Sequence, residues 1–149
     1  MLIFSTSRET RPGQLYFLEA VCANHLATIA EQVTEEFVNT RDSVFGRSLL
    51  HAATTQEMVS ILHQKGADLN LQDLCQQTPL HIAAMAGNYF VVAQLLALGA
   101  DSELVDQGQM TALDWALRCK IRQPAVYRPI VAVLEHYQQT VPQLSPRSV

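Results

Sequence analysis

The sequence is poor in the residues that build catalytic or metal chemistry and in those that carry a chain out of the cell. Its three cysteines, Cys22, Cys75 and Cys119, are odd in number, widely spaced and never arranged as CxxC. That excludes a disulfide framework and a zinc cluster, both of which need paired spacings, and leaves free thiols in a reducing compartment. Lys plus Arg total ten against fourteen Asp plus Glu, for a net charge of −4, so the cationic surface of a general nucleic-acid binder is missing. No apolar run approaches the roughly 20 residues that span a bilayer. The opening MLIFSTSRETRPG has a three-residue apolar run, without the basic start and the apolar stretch of about 7–15 residues of a secretory signal. The expected location is the cytosol, or a host cytosol reached by a signal-independent route, with no membrane association. Gly99 and Gly108 are not followed by Lys-Ser/Thr, and there is no HExxH and no nucleophile elbow. No catalytic residue, cofactor or metal is expected.

What is present is a folded composition and a repeat. With 149 residues, 48% hydrophobic and 16% charged, the chain fits one domain with a continuous core. Self-comparison then fixes a period. Asp73, Thr78 and Leu80 recur as Asp106, Thr111 and Leu113, each 33 residues on, and Leu62, Gly66 and Ala67 recur as Leu95, Gly99 and Ala100 at the same offset. His51 precedes His81 by only 30, so three residues are missing between the helices of the earlier unit. Upstream, Asn39 and Asp42 have the mutual spacing of Asn70 and Asp73. Four units follow, at approximately 14–41, 42–72, 73–105 and 106–138, with 1–13 and 139–149 expected to be flexible ends.

Within a unit the pattern predicts two helices and a turn. Thr78 caps the first helix and Pro79 takes its first position, where a missing N–H costs nothing. Gly87 ends it, Asn88 caps the second helix YFVVAQLLALG, and Gly99 stops that one before an exposed hairpin. A helix pair this short cannot hold a core alone; stacking supplies it.

Thr78-Pro79-Leu80-His81, Ala83-Ala84, Gly87, Val92, Leu95-Leu96 and Gly99-Ala100 resemble the ankyrin repeat, D-x-x-G-x-T-P-L-H-x-A-A-x-x-G followed by V-x-x-L-L-x-x-G-A. The resemblance covers roughly residues 14–138. It implies an all-α solenoid of stacked helix-turn-helix units joined by β-hairpin loops, and a turn-bridging structural role for His51 and His81. Three departures stand out. The first unit lacks the TPLH start, as suits a cap; the second reads Ser48-Leu49-Leu50-His51; the fourth has Ala112 for Pro, Asp114 for His, and about five extra residues in KIRQPAVYR, expected to be a basic inter-helix loop. Trp115 reads as packing. Asn70 sits where ankyrin asparagines can be hydroxylated, or serves only as a hairpin residue.

The resemblance also implies contact with partners through hairpin tips and the exposed side of the first helices. The positions at the tips are Val44, Phe45, Leu74, Cys75, Gln107 and Gly108, with Arg47, Gln77 and Met110 beside them and Thr54, Met85, Tyr89 and Arg118 assigned to the first helices. Val44-Phe45 and Leu74-Cys75 are apolar where turns usually carry polar residues, and Phe45 is the expected anchor. Residues 14–41 and 73–105 each carry net −3 and residues 106–138 net +1. The cluster Arg118, Lys120, Arg122 and Arg128 is either a solvated loop or, with Arg118 and Arg122 as contacts, a site for an acidic patch on the partner, aided by Tyr127. The expected function is binding of another protein, as a stand-alone binder, inhibitor or adaptor, by a chain that is monomeric when unbound. A microbial effector or immunity-type protein is the alternative. An enzyme using His51, Asp114 or a cysteine would need converging titratable groups in a pocket, and a structural subunit would need an apolar end face.

Overall fold

The computed structural model describes Val21 and residues 23–140. Of the flexible ends expected at 1–13 and 139–149, residues 1–13 and 141–149 lie outside those residues, as does the opening of the first unit, while 139 and 140 are helical.

Local rules lay down each helix. Among the described residues α1 (Leu26–Gln32) and α2 (Glu35–Val38) precede a 3-10 turn (Leu49–Ala52). α3 (Gln56–Gln64) starts where the Thr55 hydroxyl accepts the Met58 N–H. α4 (Pro79–Met85) has Thr78 as its cap and Pro79 at its first position. α5 (Tyr89–Ala97) is capped by Asn88, whose side chain accepts the Val91 N–H, and α6 (Ala112–Lys120) by Thr111, which accepts from Asp114. α7 (Pro124–Thr140) closes the series. Three helix ends share one device. Gly66, Gly87 and Gly99 take positive φ of 89°, 73° and 98°. The residue after each returns an N–H to the helix, Ala67 to Leu62, Asn88 to Ala83 and Ala100 to Leu95. Only a glycine adopts this left-handed turn without steric cost.

Packing sorts the helices into two layers. The 3-10 turn, α4 and α6 stack in one row; α1, α3, α5 and α7 stack in the other. Between the rows runs a seam of buried Leu50, Met58, Leu62, Leu80, Leu95, Ile130 and Leu134. Each such side chain contributes roughly 1.5–3 kcal/mol by leaving water, which is what allows helices of seven to nine residues to persist. Among the described residues there is no strand; the hairpins are turns alone, closed by Asp42 N–H to Arg47 O, Asp73 N–H to Gln77 O and Asp106 N–H to Met110 O.

The three-residue deficit in the second unit falls on its first helix, which is reduced to the 3-10 turn. Leu49, Leu50 and His51 are nonetheless buried as Pro79, Leu80 and His81 are, so the shortening removes the outer turn and spares the core contact. The extra residues of the fourth unit are not a basic loop. Only Ile121–Gln123 separate α6 from α7, and Pro124–Arg128 begin α7. Pro124 supplies the preset φ of a first helical position. Pro129, inside the helix, and Ala125 are both exposed, so the Ala125 carbonyl left without a donor is solvated. α7 reaches Thr140, beyond the 138 expected from the period. No helix of the described residues is long and apolar enough to cross a membrane.

Candidate functional site

Each hairpin tip is built around one aspartate. Asp42 accepts the N–H groups of Val44 (2.8 Å), Phe45 (2.6 Å) and Arg47 (2.9 Å). Asp73 accepts those of Cys75 and Gln77, and Asp106 those of Gly108 and Met110. Burial by itself would raise the Asp42 and Asp106 carboxyls, but these donors, with the Trp115 indole at Asp106, hold both below the ordinary carboxylate value. With its backbone groups satisfied internally, each tip presents side chains outward.

Neighbouring tips are tied together. The Leu74 N–H donates to Phe45 O at 2.9 Å, the Gln107 N–H to Cys75 O at 3.0 Å, and the Gln107 side chain to Leu74 O at 2.8 Å. Leu74 leans on Gly46, its Cγ 3.0 Å from where a glycine Cβ would stand. The result is one continuous ridge with apolar caps: Val44 is 68% exposed, Leu74 62% and Phe45 54%. Cys75 and Gln107 are exposed on the same line. The tips do not fold inward. Arg47 braces the first of them, with Nε 3.2 Å from Asp73 Oδ2 and its guanidinium 5.1 Å from the Phe45 ring centre.

Beside the ridge lies the floor formed by the first helices. Gln77 Nε2 reaches Met85 Sδ at 3.6 Å, and Met85 and Met110 are half-buried. Trp115, read from sequence as packing, sends its indole N–H to Asp106 Oδ2 at 2.8 Å and carries Arg118 5.6 Å from its ring centre. It is half-buried and joins the third tip to the floor.

Two expected site residues do not join this surface. Tyr89 is the first residue of α5, a second helix, and not part of a first helix. Arg122 lies past the far end of α6, about 13 Å along the helix from the tip side. Tyr127 cannot aid a partner: it is buried, its hydroxyl donating to Met85 O at 2.7 Å. Exposed Phe90, Leu117, Ile121 and Val126 escaped the sequence reading, since no local pattern marks which apolar residue a neighbour leaves uncovered.

The two histidines brace the stack. At His51 and His81, Nδ1 accepts the backbone N–H of Ser48 (3.1 Å) and Thr78 (3.2 Å). That leaves Nε2–H to donate across to the next unit, to Gln77 O at 2.9 Å and Met110 O at 3.0 Å. Asp114 occupies the same capping role with Thr111 in the fourth unit. Asn39 and Asn70 add bridges of their own, accepting the N–H of Asp68 and of Asp101 at 2.8 Å.

The sequence that threads caps, tip aspartates and histidine bridges through successive units matches a known family. The family model described as ankyrin repeats (3 copies) matches residues 17–106 and again 50–139. The chain belongs to the ankyrin repeat family. Among curated ankyrin relatives, an ADP-ribosylation factor GTPase-activating protein of Arabidopsis thaliana is 33% identical over 66% of this chain and 13% of its own length. An ankyrin repeat protein of fowlpox virus is 37% identical over 42% of the chain and 9% of its own. Human Rabankyrin-5 is 45% identical over 38% of the chain and 5% of its own. The chain thus matches only a small part of each relative, and ankyrin repeats are generally protein-interaction modules.

One tip position tests the turn geometry directly. Gly46, Gln76 and Gln109 take φ of 67°, 60° and 59°, and a left-handed backbone costs a non-glycine residue about 1 kcal/mol. Gln76→Gly and Gln109→Gly are therefore expected each to raise stability by about 0.5–1 kcal/mol, seen as a higher melting temperature; a fall would contradict the strained-turn account.

Proposed function

We propose that this ankyrin chain works by binding another protein along the ridge of hairpin tips and the floor beside it, as a stand-alone binder, inhibitor or adaptor. The observation that carries the reading is the exposure of Val44, Phe45 and Leu74 on tips hydrogen-bonded into one line. Large apolar side chains on a pre-ordered backbone lose little freedom on contact, so most of the gain from covering them appears as affinity. Gln77, Met85, Met110, Trp115 and Arg118 would form the groove wall, with Arg47 and Gln107 as polar contacts at the rim. Phe45 is the anchor in this reading.

The test is affinity capture from the native cell, comparing wild type with Phe45→Ala. The ring is half out of the fold, so the helical signal and melting should be unchanged. Affinity for the captured protein should fall by about 2 kcal/mol, roughly 30-fold. Equal capture by both proteins would remove the ridge from the contact.

A further inference from the structure

At the elbow where α6 turns into α7, charge of a single sign is concentrated on an apolar surface away from the tips. Residues 117–128, LRCKIRQPAVYR, hold Lys120, Arg122 and Arg128 at the elbow, with Arg118 set back over Trp115 at the edge of the floor, and no Asp or Glu. Among the described residues none of these four makes an ion pair, whereas Arg47 pairs with Asp73. The turn is tight, with the Arg122 and Gln123 N–H groups both returning to Cys119 O at 3.0 and 3.2 Å. The same turn leaves Ile121 84% exposed, with Leu117 and Val126 also in solvent.

The apolar surface continues into the neighbouring unit. Val126 Cγ1 lies 2.9 Å from where a Cβ on Gly87 would stand. Three residues further on, Phe90 is 64% exposed and meets Tyr89 edge-on with ring centres 5.6 Å apart. Ile121 and Val126 on the elbow, and Phe90 three residues after Gly87, are thus exposed apolar groups of two adjoining units, and Lys120, Arg122 and Arg128 share the elbow with the first two.

We propose that this elbow is a second docking surface, and that it takes a short acidic segment of a partner protein in which bulky apolar side chains alternate with Asp or Glu. The apolar side chains cover Ile121, Val126 and Phe90, and the carboxylates neutralise the unpaired cations. An anionic lipid surface has related chemistry but the wrong extent. Residues 117–128 carry +4 and the whole chain −4, so the remainder carries −8, and a broad negative surface meets that remainder as well. A peptide needs the elbow alone.

The experiment uses the full chain and a labelled synthetic peptide alternating Leu and Phe with Glu, followed by fluorescence anisotropy at low and high salt. A second peptide carries Lys in place of Glu, and phosphatidylserine vesicles are a third probe. Binding of the Glu peptide is expected, weakening with salt as surface charges are screened. The double variant K120Q/R122Q and, separately, Ile121→Ser should each reduce it at least about tenfold, both sites being solvent-facing enough to leave the circular dichroism unchanged. Phe45→Ala should bind the peptide as wild type does, which separates this surface from the ridge of tips. The proposal is overturned if the Glu peptide does not bind, if the Lys peptide binds as well, or if the elbow variants bind unchanged. It is equally overturned if Phe45→Ala abolishes the interaction or phosphatidylserine vesicles displace the peptide.

Discussion

Truncating Leu95 to alanine should lower the unfolding free energy by about 3–4 kcal/mol, in the range for a leucine lost from a packed interior. Leu95 is fully buried in α5, the helix that packs on α3 before it, α7 after it and α4 beneath it. Its carbonyl also receives the Ala100 N–H that closes the helix end, so the backbone there cannot shift easily to fill the space. In a solenoid each unit touches only its neighbours, and a cavity at this point loosens two joints together. Against a total of about 5–15 kcal/mol for a domain, that is a large share. Urea denaturation reads it as a lower midpoint with an unchanged slope. A loss below about 1 kcal/mol would mean that the two layers are not interlocked there.

The second large effect is expected at His81. Burial drives its pKa, and that of His51, below the ordinary imidazole value, more strongly than the carbonyl bonds to Met110 and Gln77 raise it. Below about pH 6.5 the unfolded chain takes up protons that the folded chain refuses. Stability should therefore be level above pH 6.5 and fall as pH drops toward the depressed folded values, by at most about 1.4 kcal/mol per pH unit for each imidazole. Asp42 and Asp106 act in a separate window: their pKa values are lowered in the fold, so their contribution persists above about 3.8 and is lost only in stronger acid. His81→Leu should cost about 3 kcal/mol at pH 7, because the Thr78 N–H loses its acceptor and Met110 O its donor. It should also reduce the pH slope between about 6.5 and 5. An undiminished slope would place the titration elsewhere.

The parts of this fold that could be read in the sequence are those governed by local backbone rules. Thr78-Pro79 and Asn88 begin helices, and Gly87 and Gly99 end them, because caps and left-handed turns act within four residues. The deficit of three residues between His51 and His81 is legible too, but its expected place is between the two helices and it falls on the first of them. What escaped depends on partners distant in the chain. Pro124 in KIRQPAVYR and Pro129 just after it suggest a loop, yet Pro124 sits at a helix start and Pro129 on an exposed face. Tyr127 has nothing in its neighbourhood to foretell a bond to Met85, 42 residues earlier. Trp115 reads as packing until Asp106 is found to hold its indole. The apolar tips were legible as apolar, but their outward direction follows from the aspartate that gathers each turn's N–H groups.

The 3-10 turn also has a mechanical consequence. A stack joined only between neighbours behaves as a spring, and tension on its ends is shared by joints in series. The joint at Leu49–Ala52 has four residues where α4 presents seven, so among the described first helices it is the most compliant. Strain gathers there first, next to the tip that carries Phe45, and a pulling partner would feel the yielding of that joint before any other gave way.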